Sequence, residues 1–166
     1  LPQLTVRTRD GTESVDERWL VFLEKWVELS RALRGPEHAE TLEATHALAE
    51  AYMRVGQVEK AVAKCRELVA IRRRLHAPDA PELIDALKKL AGALAYAREP
   101  KAVAEVMREV VEILRKSKGN ASTETLAAVK ALAAAVRSFE PKETTLALLE
   151  EAWEISNRAL GPEHPD

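Results

Sequence analysis

The stretch LRGPEHAETLEATHALAEAYMRVGQVEKAVAKCRELVAIRRRL, residues 33–75, contains a phrase that returns near the end of the sequence. GPEH occupies residues 35–38 and again residues 161–164, so Gly35 and Gly161 are 126 residues apart, which is three times 42. A fixed period of this length is typical of repeat proteins, in which each repeat is one supersecondary unit. The sequence therefore predicts an array built on a 42-residue unit.

A shift of 42 residues defines three complete units, residues 35–76, 77–118 and 119–160. Equivalent positions agree in chemical type, in one set of columns early in each unit and in a second set late in each unit. The early columns are Leu48, Leu90, Leu132; Ala49, Ala91, Ala133; and Tyr52, Leu94, Val136. The late columns are Leu23, Cys65, Met107, Leu149; Trp26, Leu68, Val110, Ala152; and Leu29, Ile71, Ile113, Ile155. Both sets have helical spacing, so each unit is predicted to be two helices, A and B.

The segments outside the three units are interpreted by the same register. Residues 16–34 carry the late columns only, which indicates the B helix of a partial repeat. Residues 1–15 alternate in character around Asp10-Gly11, which favours a linker or the edge of a preceding domain. Residues 161–166 are interpreted as the start of a truncated repeat 4, so the chain is expected to be a fragment of a longer array.

Composition favours a globular intracellular protein. The chain is 46% hydrophobic and 31% charged, with a net charge of −2, which predicts no general attraction to nucleic acid or to anionic lipid. It has no apolar run long enough for a membrane span and no signal-peptide pattern. Cys65 is the single cysteine, so neither an internal disulfide nor a cysteine metal cluster can form. A reducing, cytoplasmic location is expected.

The first complete unit resembles the tetratricopeptide repeat. Leu48, Ala49, Tyr52, Gly56 and Ala61 stand at the spacing of that family's L-A/G-x-x-Y motif, mid-repeat glycine and second-helix alanine. The 42-residue length is similar to the long repeats of kinesin light chains and of the sensor arrays of NLR-type signalling proteins. The resemblance implies an all-α fold, a right-handed α-solenoid of stacked antiparallel helix pairs whose A helices line a concave groove.

The later units depart from the family pattern at the turn between the two helices. Arg98 and Glu140 replace the turn glycine, Gly56, and Pro100 and Pro141 follow them closely. These two turns are therefore expected to be rebuilt around the prolines.

The resemblance also indicates which side chains face the groove. At 42-residue intervals His46, Lys88 and Lys130 form a ladder that would place positive charge along it, suited to the carboxylates of an extended peptide. The predicted peptide-binding residues are His46, Met53, Arg54, Lys88, Lys89, Tyr96, Lys130 and Arg137. The alternative is a merely solvated helix face, neutralised by acidic neighbours such as Glu50 and Asp85.

The predicted function is a non-catalytic protein–protein interaction scaffold that binds an extended acidic peptide. The alternative is a regulatory or sensor segment of a larger NLR/STAND-type signalling NTPase, acting through docking on a neighbouring domain or through self-association. No nucleophile elbow or glycine-rich phosphate loop is present in the sequence, and its four histidines lack metal-ligand spacing. No enzymatic activity, cofactor or metal is therefore expected.

Overall fold

The computed structural model describes residues 6–7, 13–14, 17–120 and 122–160. Helices account for almost all of this part of the chain. In chain order they are α1 (Glu17–Arg34), α2 (Ala39–Arg54), α3 (Val58–Leu75), α4 (Pro81–Tyr96), α5 (Pro100–Lys118), α6 (Thr123–Val136) and α7 (Lys142–Leu160). The A helices predicted from the sequence are α2, α4 and α6, and the B helices are α1, α3, α5 and α7.

The N-terminal segment contributes two short strands, β1 (Val6–Arg7) and β2 (Glu13–Ser14). They pair antiparallel, with Val6 opposite Ser14. The predicted role of residues 1–15 as a linker or domain edge stays a prediction, since most of that segment lies outside the described residues.

Two compact units divide the chain, Leu1–Leu75 and His76–Asp166. In the first unit α1 packs on α2, and α2 packs on α3. In the second unit α5 packs on both α4 and α6, and α6 packs on α7. Within each unit, helices that are consecutive along the chain are thus neighbours in space, as short connections require. The repeat boundaries at residues 76, 118 and 160 stay a prediction.

The apolar columns of the A helices form the core, as their spacing predicts. All nine side chains in the columns of Leu48, Ala49 and Tyr52 are buried. In the B helices Leu23, Cys65 and Met107 are buried as well. Cys65 is therefore a free cysteine within the core.

Two positions in the B-helix columns contradict the sequence pattern. Leu29 is 59% exposed and Leu149 is 48% exposed. The reason is positional, because α1 has no described A helix before it and α7 has none after it. A packing column buries a side chain only where a neighbouring helix covers it.

Local signals set the helix ends. Gly35 and Gly119 take positive φ values of 89° and 84° after α1 and α5, a conformation that favours glycine. Pro81 begins α4, where no backbone N–H is needed. At the equivalent loops the hydroxyl of Thr41 donates to the carbonyl of Gly35 at 2.8 Å, and that of Thr125 donates to the carbonyl of Gly119 at 2.9 Å. The same hydrogen bond thus recurs 84 residues apart, twice the repeat length.

The turn after α4 is not rebuilt, contrary to the expectation for Arg98. After α2, the N–H of Gln57 donates to the carbonyl of Tyr52, and after α4 the N–H of Glu99 donates to that of Leu94. Arg98 has a φ of 57°, so it adopts the left-handed conformation that Gly56 adopts at 76°. Both turns are Schellman caps, one closed by glycine and the other by arginine.

The turn after α6 differs from the other two. There the N–H of Glu140 donates to the carbonyl of Val136 at 2.9 Å, and Pro141 directly precedes α7. Among the described residues, Arg98 is the one non-glycine position with positive φ, so Glu140 does not share its conformation. The expectation of a rebuilt turn is confirmed at this position only.

Charged side chains link successive B helices and close the loops before the A helices. Arg31 on α1 pairs with Glu67 on α3, and Arg115 on α5 pairs with Glu151 on α7, again 84 residues later. At the loop before each A helix, a basic side chain lies close to an acid in the first turn of that helix. These loop pairs are Arg34–Glu40 at 3.0 Å, His76–Glu82 at 3.9 Å and Lys118–Glu124 at 3.9 Å. None of the described helices combines the length and the hydropathy needed to cross a bilayer.

Candidate functional site

Three of the predicted peptide-binding residues lie on α2, in the first unit. His46 is half-buried, and its Nε2 is 3.5 Å from Oε1 of Glu50 on the same helix. Met53 is half-buried against the core formed by α1 and α2. Arg54 is exposed in the last turn. Of the three, Arg54 is the side chain most open to a ligand.

The other five predicted residues lie on α4, on α6 or at the end of α6, in the second unit. Lys88, Lys130 and Arg137 are exposed, and Tyr96 is 72% exposed. Lys89 is half-buried, and its Nζ is 2.7 Å from Oδ2 of Asp85 one turn earlier. Lys89 is thus partly neutralised within its own helix, as the solvated-face alternative predicts for this position.

An open cleft of about 620 Å³ lies between α4 and α6 in the second unit. Gly92 and Ala95 of α4 line one side, and Ala127 and Ala131 of α6 line the other. Val103 of α5 also lines it. The cleft is therefore an apolar recess between two A helices, lined mainly by small side chains.

Small side chains explain why this recess stays open. Both α4 and α6 pack on α5, and these contacts fix the distance between α4 and α6. Alanine and glycine on the facing surfaces do not fill the space that remains. A Cβ added to Gly92 would have no atom within 4 Å, which confirms that this wall borders open space.

Lys88 of this cleft was among the predicted residues, whereas the alanine residues that line the cleft were not. The signal was present in AGALA, residues 91–95, and in ALAAA, residues 131–135, where exposed positions of two A helices carry only small side chains. Alanine is also a strong helix former, so such runs alone do not distinguish a cleft from ordinary helix surface.

Two cations lie at the cleft. Lys88 and Arg98 both line it, both are exposed, and neither has an ion-pair partner among the residues that the structure describes. Glu99 lines the same recess and adds one carboxylate. The left-handed backbone at Arg98 sets the direction in which this guanidinium leaves the turn. A cation pair beside an apolar recess suits a ligand that combines an apolar group with carboxylates.

A smaller cavity of about 330 Å³ lies in the first unit, lined by Glu24, Tyr52 and Lys64 among others. The Tyr52 hydroxyl donates a 2.6 Å hydrogen bond to Oε1 of Glu24. Desolvation by burial, then the hydrogen bond and the negative charge of Glu24, raises the pKa of Tyr52 to about 12. Lys60 Nζ lies 5.3 Å from the centre of the Tyr52 ring. This cavity is polar, and its tyrosine stays protonated at neutral pH.

The aromatic residues of α1 form a stack at the start of the first unit. The ring centroids of Trp19 and Phe22 are 5.0 Å apart, and those of Phe22 and Trp26 are 6.4 Å apart. Both tryptophans pack against the α1–α2 core, whereas Phe22 is 48% exposed. Within the described ranges, no group of three or more His, Cys, Asp or Glu side chains is placed to hold a metal ion.

Comparisons with known proteins agree with this architecture. Family models of the tetratricopeptide repeat match residues 40–116 and residues 131–166. Among curated proteins, none matches the chain.

Solved structures of proteins with tetratricopeptide-like repeats resemble this chain. A Podosopora anserina protein, described as a kinesin light chain with nearly identical TPR-like repeats, is 26% identical with a TM-score of 0.78; the match covers 87% of this chain and 68% of that one. A single-substitution variant of that protein is 28% identical with a TM-score of 0.74, covering 86% and 67%. BtubC (BKLC) from P. vanneervenii, at 16% identity and a TM-score of 0.68 over 90% of this chain and 59% of its own, shares the fold.

The family matches include α2 to α5, the second half of α6 and all of α7, and the structural matches extend over most of the chain. The predicted all-α, TPR-like solenoid class is therefore confirmed. Repeats of this family serve in general as protein–protein interaction scaffolds. The chain is a tetratricopeptide-repeat protein whose repeats are of the kinesin-light-chain type.

Proposed function

We propose that this chain is a non-catalytic scaffold that binds an extended, acidic peptide on the exposed surfaces of its A helices. The observation that carries the proposal is the cleft between α4 and α6, an apolar recess with Lys88 and Arg98 at its side. An apolar side chain of the peptide would enter the recess, and neighbouring carboxylates would pair with the two cations.

The shape of the cleft supports an apolar anchor. Its volume of about 620 Å³ exceeds that of any single side chain, so a large residue and part of the adjoining backbone fit. Ala127 and Ala131 present methyl groups, and Val103 and Met107 add larger apolar surface. Burying apolar area here contributes roughly 25 cal/mol for each Å² removed from water.

The charges at the cleft support a preference for acids. Lys88 and Arg98 are held near an apolar surface, where a hydrogen-bonded carboxylate is attracted more strongly than in bulk water. Glu99 lies at the same recess and disfavours a peptide carboxylate on its own side. The arrangement therefore predicts a defined orientation for the ligand.

The remaining predicted contacts form an outer set. On the second unit these are Tyr96, Lys130 and Arg137; the contacts predicted on the first unit, His46, Met53 and Arg54, are a separate prediction for that unit. Lys89 and His46 already lie close to carboxylates on their own helices, so we expect smaller contributions from them. Rim charges change association rates and salt dependence more than they change affinity.

A peptide array tests the proposal. Acidic and neutral peptides, each with and without a large apolar residue, are screened at low and moderate salt. The acidic apolar class should bind saturably and weaken as salt rises, because exposed ion pairs are screened. Affinity for the selected peptide is then measured by fluorescence anisotropy with matched variants.

Two pairs of variants separate charge from shape. Lys88→Glu with Lys130→Glu reverses two charges of the ladder, and Lys25→Glu with Lys101→Glu, both exposed and outside the predicted contacts, is the charge control. Ala131→Leu fills the recess, and Ala70→Leu, exposed on α3, is the control for bulk. Each test variant should weaken binding at least about tenfold, which is about 1.4 kcal/mol, while helicity stays unchanged. Unaltered binding by both test variants would contradict the proposal.

The alternative function, a regulatory or sensor segment of a larger signalling NTPase, stays a prediction. A nucleotide-binding module encoded upstream of Leu1 would support it. The expected cytoplasmic location likewise stays a prediction, based on the single cysteine.

A further inference from the structure

The polar cavity of about 330 Å³ in the first unit opens between α1 and α3, the two B helices that pack on α2. Glu24 and Glu28 line it from α1, Tyr52 lines it from α2 and Lys64 lines it from α3. This recess, the α1–α3 cavity, is within the size range of small-molecule sites, roughly 300–1,000 Å³. It carries groups of both charges, unlike the apolar cleft of the second unit.

The acidic side of the α1–α3 cavity is formed by Glu24 and Glu28. They are four residues apart, so they lie on one face of α1. Glu24 Oε1 accepts the 2.6 Å hydrogen bond from the Tyr52 hydroxyl. Among the residues that the structure describes, Glu28 has no hydrogen bond or ion pair. The acidic side therefore has carboxylate oxygens left to accept hydrogen bonds from a ligand.

The basic side of the cavity is formed by Lys64 of α3 and by Arg31, about one turn after the acidic pair on α1. Both cations pair with the same carboxylate, that of Glu67, with Lys64 Nζ at 3.0 Å. Lys60, one turn before Lys64, adds another cation, and its Nζ lies 5.3 Å from the centre of the Tyr52 ring. One carboxylate thus faces three cations, so the basic side keeps a net positive charge.

The polar lining of this cavity is not part of the repeat pattern. The equivalents of Tyr52 in the later units are Leu94 and Val136, and those of Lys64 are Val106 and Leu148. Aliphatic side chains therefore satisfy the packing at both positions, and the first unit alone carries a hydroxyl and an amine there. Positions that break a pattern which the rest of the fold obeys are where function is expected.

We propose that the α1–α3 cavity binds a small zwitterion of amino-acid size. Its ammonium group would lie between Glu24 and Glu28, and its carboxylate would pair with the cations around Lys64. Its carbon chain would lie along the Tyr52 side chain. A ligand with both charges pairs with both sides of the cavity at once, whereas a simple cation or anion leaves one side unpaired. The site is independent of the peptide-binding function, because the cleft between α4 and α6 lies in the second unit.

Nuclear magnetic resonance titration tests the proposal. Free α-amino acids and straight-chain ω-amino acids, from β-alanine to aminohexanoate, are added to the 166-residue chain. We expect at least one zwitterion to give saturable shifts of the Glu28, Tyr52 and Lys64 amides. The same ligand should raise the melting temperature as its concentration rises, because it binds the folded chain. Butylamine and valerate each carry one of the two charges and should bind at least about tenfold more weakly.

Two pairs of variants locate the binding. Glu28→Gln and Lys64→Gln each remove one charge from the cavity, and Glu43→Gln and Lys25→Gln remove exposed charges elsewhere in the first unit. Each cavity variant should weaken binding of the selected zwitterion at least about fivefold, because it removes one charged hydrogen-bond partner. The controls should bind like the unaltered chain, and all four variants should keep their helicity.

Four results would overturn the proposal. The first is the absence of saturable shifts with every zwitterion. The second is binding of butylamine as tight as that of the best zwitterion, which would make the cavity a simple cation site. The third is a set of shifts confined to α4 and α6, which would place the ligand in the cleft. The fourth is equal binding by the cavity variants and their controls.

Discussion

The phenolic hydroxyl of Tyr52 on α2 donates a 2.6 Å hydrogen bond to Oε1 of Glu24 on α1, across the first helix–helix contact of the chain. The ring of Tyr52 is buried in the α1–α2 core, and its hydroxyl reaches the polar cavity at the edge of that core. One side chain thus contributes apolar packing and a polar link between the same two helices. This dual role is typical of buried tyrosine.

The raised pKa of Tyr52 predicts how stability changes at alkaline pH. The unfolded chain loses the Tyr52 proton near its ordinary pKa of 10.0, whereas the folded chain holds it to about 12. The contribution of the protonated Tyr52 to the free energy of unfolding is therefore fully present below pH 10.0 and is lost as the pH rises to about 12. Urea denaturation between these values should show a falling free energy of unfolding.

Tyrosinate absorbance checks this prediction directly. A Tyr96→Phe background leaves Tyr52 as the single tyrosine, since the chain has two. Glu24→Gln should lower the pKa of Tyr52 in that background, because it removes the negative charge but leaves the burial. An unchanged pKa of Tyr52 in Glu24→Gln would show that the hydrogen bond to Glu24 contributes nothing, and titration near the ordinary pKa of 10.0 in the folded chain would show that burial does not act on the hydroxyl either.

Two neighbouring residues on α5 allow the effect of apolar burial on stability to be compared with that of an ion pair. Leu114 is completely buried, and Leu114→Ala should cost about 2–5 kcal/mol through lost apolar contact and the cavity left behind. Arg115 pairs with Glu151, but the two side chains are 37% and 32% exposed. A double-mutant cycle on this pair should give a coupling of about 1 kcal/mol or less.

Urea denaturation of the four chains in the cycle, with Leu114→Ala alongside, provides the measurement. A coupling as large as the Leu114 effect would show that inter-repeat ion pairs, rather than the apolar columns, dominate the stability of the second unit.

The two Schellman caps predict opposite responses to substitution. Gly56 has a φ of 76°, so Gly56→Ala should cost about 1–2 kcal/mol through left-handed strain. Arg98 already bears that strain at 57°, and Arg98→Gly relieves it at the expense of a more flexible unfolded chain. The net effect of Arg98→Gly should lie between zero and a gain of about 1 kcal/mol.

Thermal melting of Gly56→Ala and Arg98→Gly measures the sign and size of both changes in stability. Destabilisation by Arg98→Gly would mean that the greater flexibility of the unfolded chain, or a stabilising contact of the arginine side chain, outweighs the relief of backbone strain. Peptide binding offers a second readout, because the same substitution removes one of the two cations at the cleft.

Gly92 predicts a stabilising substitution in the cleft wall. It lies within α4, and an added Cβ would meet no atom within 4 Å. Gly92→Ala should therefore raise stability by roughly 0.5–1 kcal/mol, because glycine is the weaker helix former. Ala134→Gly, at the equivalent position of α6, is the matched reverse change and should lower stability. A loss of stability in Gly92→Ala would show that the added methyl group collides with neighbouring atoms, and that the space beside Gly92 is not open.

Several elements of the fold were predictable because they depend on local or periodic signals. The 42-residue period located every A and B helix, since apolar side chains at helical spacing have only one face to bury. Gly35, Gly119 and Pro81 marked helix ends through backbone preferences that need no tertiary partner. The Schellman cap at Arg98 was missed, because arginine rarely adopts left-handed backbone and its side chain gives no sequence signal for such a cap.

The candidate site likewise has residues that the sequence predicts and a cleft that only tertiary packing creates. The exposed cations Lys88 and Lys130 follow from repeat register, so the sequence alone identified them. The cleft beside Lys88 does not follow from register, because it is the volume that alanine and glycine on two separate helices leave unfilled. The exposure of Leu149, in a column buried at Met107, likewise depends on which helix lies next to it in space. Periodicity determines which side of a helix is apolar, and tertiary packing decides whether that side is covered.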